Sequence, residues 1–230
     1  MRALVTGAKG ALGTVVCHQL AAAGYDVVGT DLPDLDITDR NACRAITDDY
    51  DVCANVAGVF GEFIRADRIM TESWNHYLAV NLTGALNVCQ RVLPGMMKRG
   101  YGRIVNVASI ASLDGHYRGA HYAASKAALI GLTRSIALEY AESGITANAV
   151  LPGCIATPNV LAAAPDEVLA DSCKWIPTGR FATVEEIASM ITFLASDEAS
   201  YVNGASIPVD GASMLLPFRF ARKPNERAGT

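Results

Sequence analysis

Short apolar runs alternate with helix-spaced apolar stripes along most of the chain. Ala3–Val5 is an apolar run that stops at Thr6-Gly7. Leu12, Val16, Leu20 and Ala23 then recur at helical spacing over residues 12–23, with Gly24 as the stop. Val27-Val28-Gly29-Thr30 predicts the second strand. Asp51–Val56, Arg103–Ala108 and Ile145–Val150 predict later strands, the last of these ended by Pro152-Gly153, and Ser206–Val209 predicts a final one. Residues 71–99 predict helix in two pieces up to Gly100, and residues 121–142 a long helix before Gly144. Thr183-Val184-Glu185-Glu186 is a capping box opening a helix to about Ser196. Strand and helix alternating in this way predict a doubly wound parallel sheet of the α/β class in one domain over residues 1–216.

One stretch breaks the alternation. Asp31 and Asp36 are five apart, yet Asp36-Ile37-Thr38-Asp39 has the look of a third strand end leading into a helix near 39–48. A parallel crossover takes about a dozen residues. The third strand is therefore expected to be vestigial or reached by a tight loop, with the sheet trimmed there.

Composition narrows the classes. The chain has 230 residues and 24.3 kDa, enough for one sizeable core. A hydrophobic fraction of 51% and a charged fraction of 18% exclude a disordered protein. With a net charge of −4, no basic field recruits nucleic acid or an anionic membrane. The longest charge-free stretch, 144–165, is broken by Asn148, Pro152 and Pro158, so no bilayer span is expected. Met1-Arg2 running into Ala3-Leu4-Val5 lacks the pattern of a signal peptide. Cysteines 17, 43, 53, 89, 154 and 173 form no CxxC pair, and histidines 18, 76, 116 and 121 are scattered. The expectation is reduced thiols in a cytoplasmic protein, with no metal.

The first candidate chemistry is the turn Thr6-Gly7-Ala8-Lys9-Gly10-Ala11-Leu12-Gly13, directly after the first strand and opening the first helix. Glycines there let backbone N–H groups approach a pyrophosphate, which the helix N-terminus favours. Asp31 ends the second strand, where a carboxylate accepts both hydroxyls of an adenosine ribose and repels a 2′-phosphate; Leu32 after it is no arginine.

Further motifs follow in order: Asn55-Val56-Ala57-Gly58, Asn81, Ser109, Tyr122-Ala-Ala-Ser-Lys126 and Pro152-Gly153-Cys-Ile-Ala-Thr157. With the glycine turn, they make a chain that resembles the short-chain dehydrogenase/reductases, in their compact single-domain form, over about residues 1–213. The resemblance implies a Rossmann-type fold and a nicotinamide dinucleotide, NAD in preference to NADP. It implies Asn81, Ser109, Tyr122 and Lys126 as the catalytic set. Ser109 would hold the substrate oxygen, with Ser112 and Ser125 weaker candidates. Asn81 would mark a helix kink and a water relay to Lys126. The dinucleotide would meet Gly7, Lys9, Gly10, Ala11, Leu12 and Gly13, then Asp31, Leu32, Asp36 and Ile37. It would also meet Asn55, Val56, Ala57 and Gly58, and finally Tyr122, Lys126, Pro152, Gly153, Ile155 and Thr157. The middle glycine of the usual turn is Ala11, which leaves the role of Lys9 open, since a lysine here can favour a 2′-phosphate.

The chemistry stands beside the resemblance. Tyr122 and Lys126 are one helical turn apart and face the same side. A phenol of pKa about 10 is a poor base at neutral pH, and a neighbouring ammonium lowers that value. Such a phenol gives a proton to a carbonyl, or takes one from an alcohol, as hydride moves.

Specificity is expected in the lid at about 154–180, rich in apolar residues and mobile before ligand binds, and in 111–121, where Asp114, His116, Arg118 and His121 stand. Ser109, Tyr122, Cys154 and Trp175 are the candidate substrate contacts. The expected substrate is a mostly apolar secondary alcohol or ketone, such as a hydroxysteroid or cyclic diol. Alternatives are an NADPH-dependent carbonyl or 3-oxoacyl thioester reductase, and a dinucleotide-sensing module without turnover. Apolar Leu129, Ile130, Leu132, Ile136 and Leu138 exceed what one sheet-facing stripe needs, and the resemblance implies pairing into a homodimer or homotetramer. The basic tail 217–230 is expected to be frayed or a partner arm.

Overall fold

Among the residues described by the computed structural model, 1–162 and 165–215, six parallel strands form one sheet in the order β2-β1-β3-β4-β5-β6. The strands are β1 (Arg2–Thr6), β2 (Asp26–Thr30), β3 (Val52–Asn55), β4 (Gly102–Val107), β5 (Ile145–Pro152) and β6 (Ser206–Val209). Every residue of β3, β4 and β5 is buried, as expected for strands covered on both faces. The expected tail, residue 216 and Ala163 and Ala164 of the lid lie outside the described residues.

Two helices cover one face. In α1 (Ala11–Ala22) the buried positions are Gly13, Val16 and Leu20; in α8 (Val184–Leu194) they are Ile187, Ala188, Ile191 and Leu194. Both sets follow helical spacing and meet Ala3, Val5, Ala54 and Val105 of the sheet. The capping box at Thr183 is formed: its Oγ1 accepts from Glu186 N at 3.3 Å, and Thr183 N donates to Glu186 Oε2 at 2.8 Å. The opposite face carries α3 (Ala85–Arg99) and α5 (Ala120–Tyr140). Leu129, Ile130 and Ile136 of α5 are buried within the chain and Leu132 is half-buried. Of the apolar surplus expected to face a partner copy, only Leu138 stands exposed, at 82%.

The strand expected at Asp36–Asp39 does not form. After β2 the chain turns through Asp31–Asp36, and Asp39–Ile46 holds only the short 3-10 turn Ala42–Ala45 in place of a helix over 39–48. Five residues cannot carry a parallel crossover. Ile37, Cys43 and Ile46 tuck under the sheet against Val88, Val92 and Met96 of α3, filling the space with loop.

The helix expected over 71–99 comes in two pieces, α2 (Thr71–Leu78) and α3, joined by the π-helical turn Ala79–Gly84. A wider turn places an extra residue on one face and occurs at functional sites. Gly84 there packs on Ile37, where a Cβ would come within 2.6 Å.

Candidate active site

A cleft of about 710 Å³ runs along the C-terminal ends of β1, β2 and β3, where strand order reverses. Its floor is the turn after β1. Gly7 has φ +68°, and a Cβ on it would lie 2.7 Å from the Ala57 backbone. A Cβ on Gly13 would lie 2.0 Å from Gly7 O. Only glycine lets the turn, β3 and α1 come this close. Thr6, fully buried, holds the neighbouring segment: its Oγ1 accepts from Val56 N and Ala57 N, each at 3.2 Å. No side chain caps α1, so the N–H groups of its first turn are left for a ligand in the cleft. These features fit a pyrophosphate.

Lys9, Gly10, Ala11 and Leu12 line the cleft beside this turn. Asp31 and Leu32 form the end near β2. The Asp31 carboxylate accepts Lys9 N at 2.9 Å and Leu32 N at 2.8 Å. The Lys9 ammonium turns to Leu32 O at 3.0 Å and Asp34 Oδ2 at 2.7 Å. Asp36 and Ile37 line the next wall, and Thr38 donates to Asp36 from its hydroxyl and its N–H, holding that carboxyl below its usual range. Val56, Ala57 and Gly58 form the opposite wall, and Thr157 the start of the lid.

Four expected contacts lie elsewhere. Asn55 turns into the sheet, donating to Asn106 Oδ1 at 2.8 Å and Cys89 Sγ at 3.4 Å. Asn106 in turn donates to Thr133 Oγ1 of α5 at 2.8 Å. The pair is in register on β3 and β4, so Asn55 fixes α5 to the sheet from a buried position. Pro152 ends β5, and Gly153 packs on Asp210, which a Cβ would approach within 2.9 Å. Ile155 packs into the core and bridges Ala182.

Lys126 is 4% exposed, and its Nζ donates to Val107 O at 2.7 Å. Burial pulls its pKa from 10.5 to about 8. A Cβ on Gly58 would lie 3.1 Å from Lys126 Nζ and 3.0 Å from Asn81 Oδ1, so Gly58 joins these two groups to the cleft. Asn81 sits in the π-helical turn. Its Oδ1 accepts Val59 N at 2.8 Å, and its Nδ2 donates to Val59 O at 3.1 Å and Ser125 Oγ at 3.0 Å. Ser125 donates to Tyr122 O at 2.7 Å, so this weaker candidate is a positioning residue.

Tyr122 stands past Gly58 and Val59, against the Phe60 ring at 4.9 Å. The Ser109 Oγ accepts Ala111 N at 3.1 Å, and the Ser109 hydroxyl draws the Tyr122 pKa downward. The pKa of Tyr122 departs from expectation. Burial raises it, outweighing the lowering by Ser109, and the neighbouring Tyr77 adds to the rise. The phenol is therefore protonated at neutral pH, which suits an acid.

The cleft reaches Gly58 and Val59, and Gly58 lies against Lys126 and Asn81. The sequence model of the family described as enoyl-(acyl carrier protein) reductase matches residues 34–212. The chain belongs to the short-chain dehydrogenase/reductases. It is an NAD(P)-dependent oxidoreductase acting on CH–OH and keto groups. It is 35% identical to a 3-oxoacyl-[acyl-carrier-protein] reductase of Vibrio cholerae over 239 residues, covering 93% of this chain and 97% of that protein. It is 36% identical to the 3-oxoacyl-[acyl-carrier-protein] reductase MabA of Mycobacterium avium, covering 90% and 88%. An acetoacetyl-CoA reductase of Rhizobium meliloti is 34% identical, covering 91% and 96%. A crystal structure from Beutenbergia cavernae, described as an NAD(P)-dependent gluconate 5-dehydrogenase with NADP at low occupancy, superposes with a TM-score of 0.88 at 34% identity, covering 93% and 96%.

The other two substrate candidates, like Ser109 and Tyr122, lie outside the cleft lining. Cys154 lines a separate space of about 170 Å³ with Ile176, Thr178, Arg180 and Asp210. Trp175 follows α7 (Asp166–Cys173), 49% exposed and outside the cleft lining. Sequence reasoning missed Thr6, Val59, Phe60, Phe63 and Tyr77. Thr6 was legible as a strand-ending hydroxyl next to the glycine turn. The others sit in or after an irregular loop with no period to place them. Among the described residues, no helix is long and apolar enough to cross a membrane, and no cluster of His, Cys, Asp or Glu is arranged to hold a metal.

Proposed function

We propose that the protein reduces the 3-keto group of an acyl thioester to a 3-hydroxyl. The observation that carries this reading is the glycine-floored cleft reaching Gly58, with buried Lys126 and Asn81 against Gly58 and Tyr122 one helical turn before Lys126. The relatives favour this alternative over a hydroxysteroid or cyclic diol. A dinucleotide bound in the cleft supplies hydride to the keto carbon. Ser109 and Tyr122 donate hydrogen bonds to the keto oxygen, and Tyr122 gives it a proton. Lys126, buried next to Gly58, would hold the nicotinamide ribose and restore that proton. Cleft residues Lys9, Asp31 and Asp36 sum to one negative charge, which disfavours a 2′-phosphate and favours NAD. The NADP in the Beutenbergia cavernae structure favours the second reading, NADP. The six free thiols accord with a reducing, cytoplasmic setting, and the exposed Leu138 of α5 with a second copy packed on that helix, as a homodimer or homotetramer.

The test is oxidation of NADH and of NADPH by acetoacetyl-CoA, followed at the reduced nicotinamide absorbance. Reduction is expected, with Tyr122→Phe lowering kcat by about 10³-fold while dinucleotide binding persists. Full turnover by Tyr122→Phe removes Tyr122 as the acid. No turnover of any 3-oxoacyl thioester removes the substrate class.

A further inference from the structure

The loop between β3 and α2 is held at three points. Asn81 grips both backbone groups of Val59. Glu62 N donates to Tyr77 Oη at 3.0 Å, and Ser73 donates to the Glu62 carboxylate. Ile64 N donates to Arg118 O at 2.6 Å. A loop fixed in this way has no need of exposed rings for its own packing, yet Phe60 and Phe63 are 53% and 57% exposed.

The rings are arranged about the acid. Phe60 lies 4.9 Å from Tyr122, 5.5 Å from His116 and 5.7 Å from Phe63, steeply inclined to each. Phe63 and His116 face each other at 5.7 Å with a tilt of 37°. Room for the imidazole depends on Gly119, where a Cβ would lie 2.4 Å from His116 Nδ1. That nitrogen is buried without a hydrogen-bond partner. Behind the wall, His121 is fully buried 4.0 Å from the Tyr77 ring, with Glu62 Oε2 3.5 Å from its Nε2. The wall is therefore anchored from the rear and open in front.

Resting on Tyr122 as the acid, we propose that Phe60, Phe63 and His116 select substrates whose reacting carbonyl carbon bears a flat ring: 3-aryl-3-oxo compounds in preference to 3-alkyl ones. An alkyl group gains only the area it covers. A ring gains that and the edge-to-face and stacked contacts that aromatic pairs favour. No charged side chain belongs to the three-ring set, so the substituent it takes is neutral.

Ethyl benzoylacetate and ethyl acetoacetate differ by phenyl against methyl on the reacting carbon, and a cyclohexyl counterpart separates flatness from bulk. Their binding to the Tyr122→Phe protein loaded with dinucleotide is measured by calorimetry, where no turnover is needed. The phenyl compound is expected to bind about tenfold tighter than the methyl one and at least threefold tighter than the cyclohexyl one. Phe63→Ala, and separately Phe63→Leu to keep an apolar side chain, should cut the phenyl-to-methyl ratio at least fivefold. A ratio near one, equal binding of cyclohexyl and phenyl, or a ratio that both Phe63 variants leave intact overturns the inference. Thioesters that are not turned over would reject the proposed reaction, while these binding ratios still decide the wall.

Discussion

At the scale of single residues, burial decides protonation more than proximity does. The sequence placed an ammonium one turn from a phenol and so predicted a lowered phenol pKa. In the fold, the ammonium is spent on Val107 O, and burial raises the phenol. What the spacing could not show was where Lys126 finds its acceptor, because that acceptor is a backbone carbonyl on a different element. The cost of burying Lys126 is itself measurable. The unfolded chain keeps this proton up to 10.5, and the folded chain releases it near 8, so folding sheds a proton between those values and stability rises with pH. Against Lys126→Met, the unmodified protein should gain about 2 kcal/mol of stability from pH 8 to 9.5. Urea denaturation of both proteins across that range checks it; parallel curves would show that Lys126 keeps its proton in the folded chain throughout.

At the scale of elements, helices and central strands were legible because their apolar periods are strong and their ends are marked by Gly24, Gly100, Gly144 and the Thr183 box. The loop carrying Val59 to Ile64 was not, since its shape comes from long-range bonds rather than period. Asn81 is the link between the two kinds of element: the wide helical turn aims its amide at the loop backbone. Asn81→Ala leaves both Val59 backbone groups without partners and should destabilise the protein by about 2–3 kcal/mol, read by the denaturation midpoint. A smaller effect at KM than at kcat is expected for the same variant, because it shifts the ground around Lys126 and Gly58. Asn55 belongs to the same lesson. Its motif position pointed to the cleft, but its side chain meets Asn106 in the adjacent strand, a pairing that only register reveals.

For the whole molecule, the parallel sheet layered between helices was legible from alternation alone. The surface of α5 was not. Helical counting gave a surplus of apolar residues, and the sheet and α3 took up most of it. Leu138 remains, 82% exposed. If a second copy covers it, Leu138→Glu should lower the sedimenting mass from an oligomer to a monomer, with the far-ultraviolet circular dichroism retained; an unchanged mass would place the contact on another face.

With no strand at Asp36–Asp39 beside it, β2 is one of the two margins of the sheet, hydrogen-bonded on one side only among the described residues. Its amides are expected to open sooner than those of the central strands, and Asp31, on the cleft lining, follows its end. Deuterium should enter residues 26–30 sooner than any central strand in the nucleotide-free protein. Saturation with dinucleotide should slow that entry, because the ligand joins β2 to α1 across the gap that a neighbouring strand would otherwise have braced.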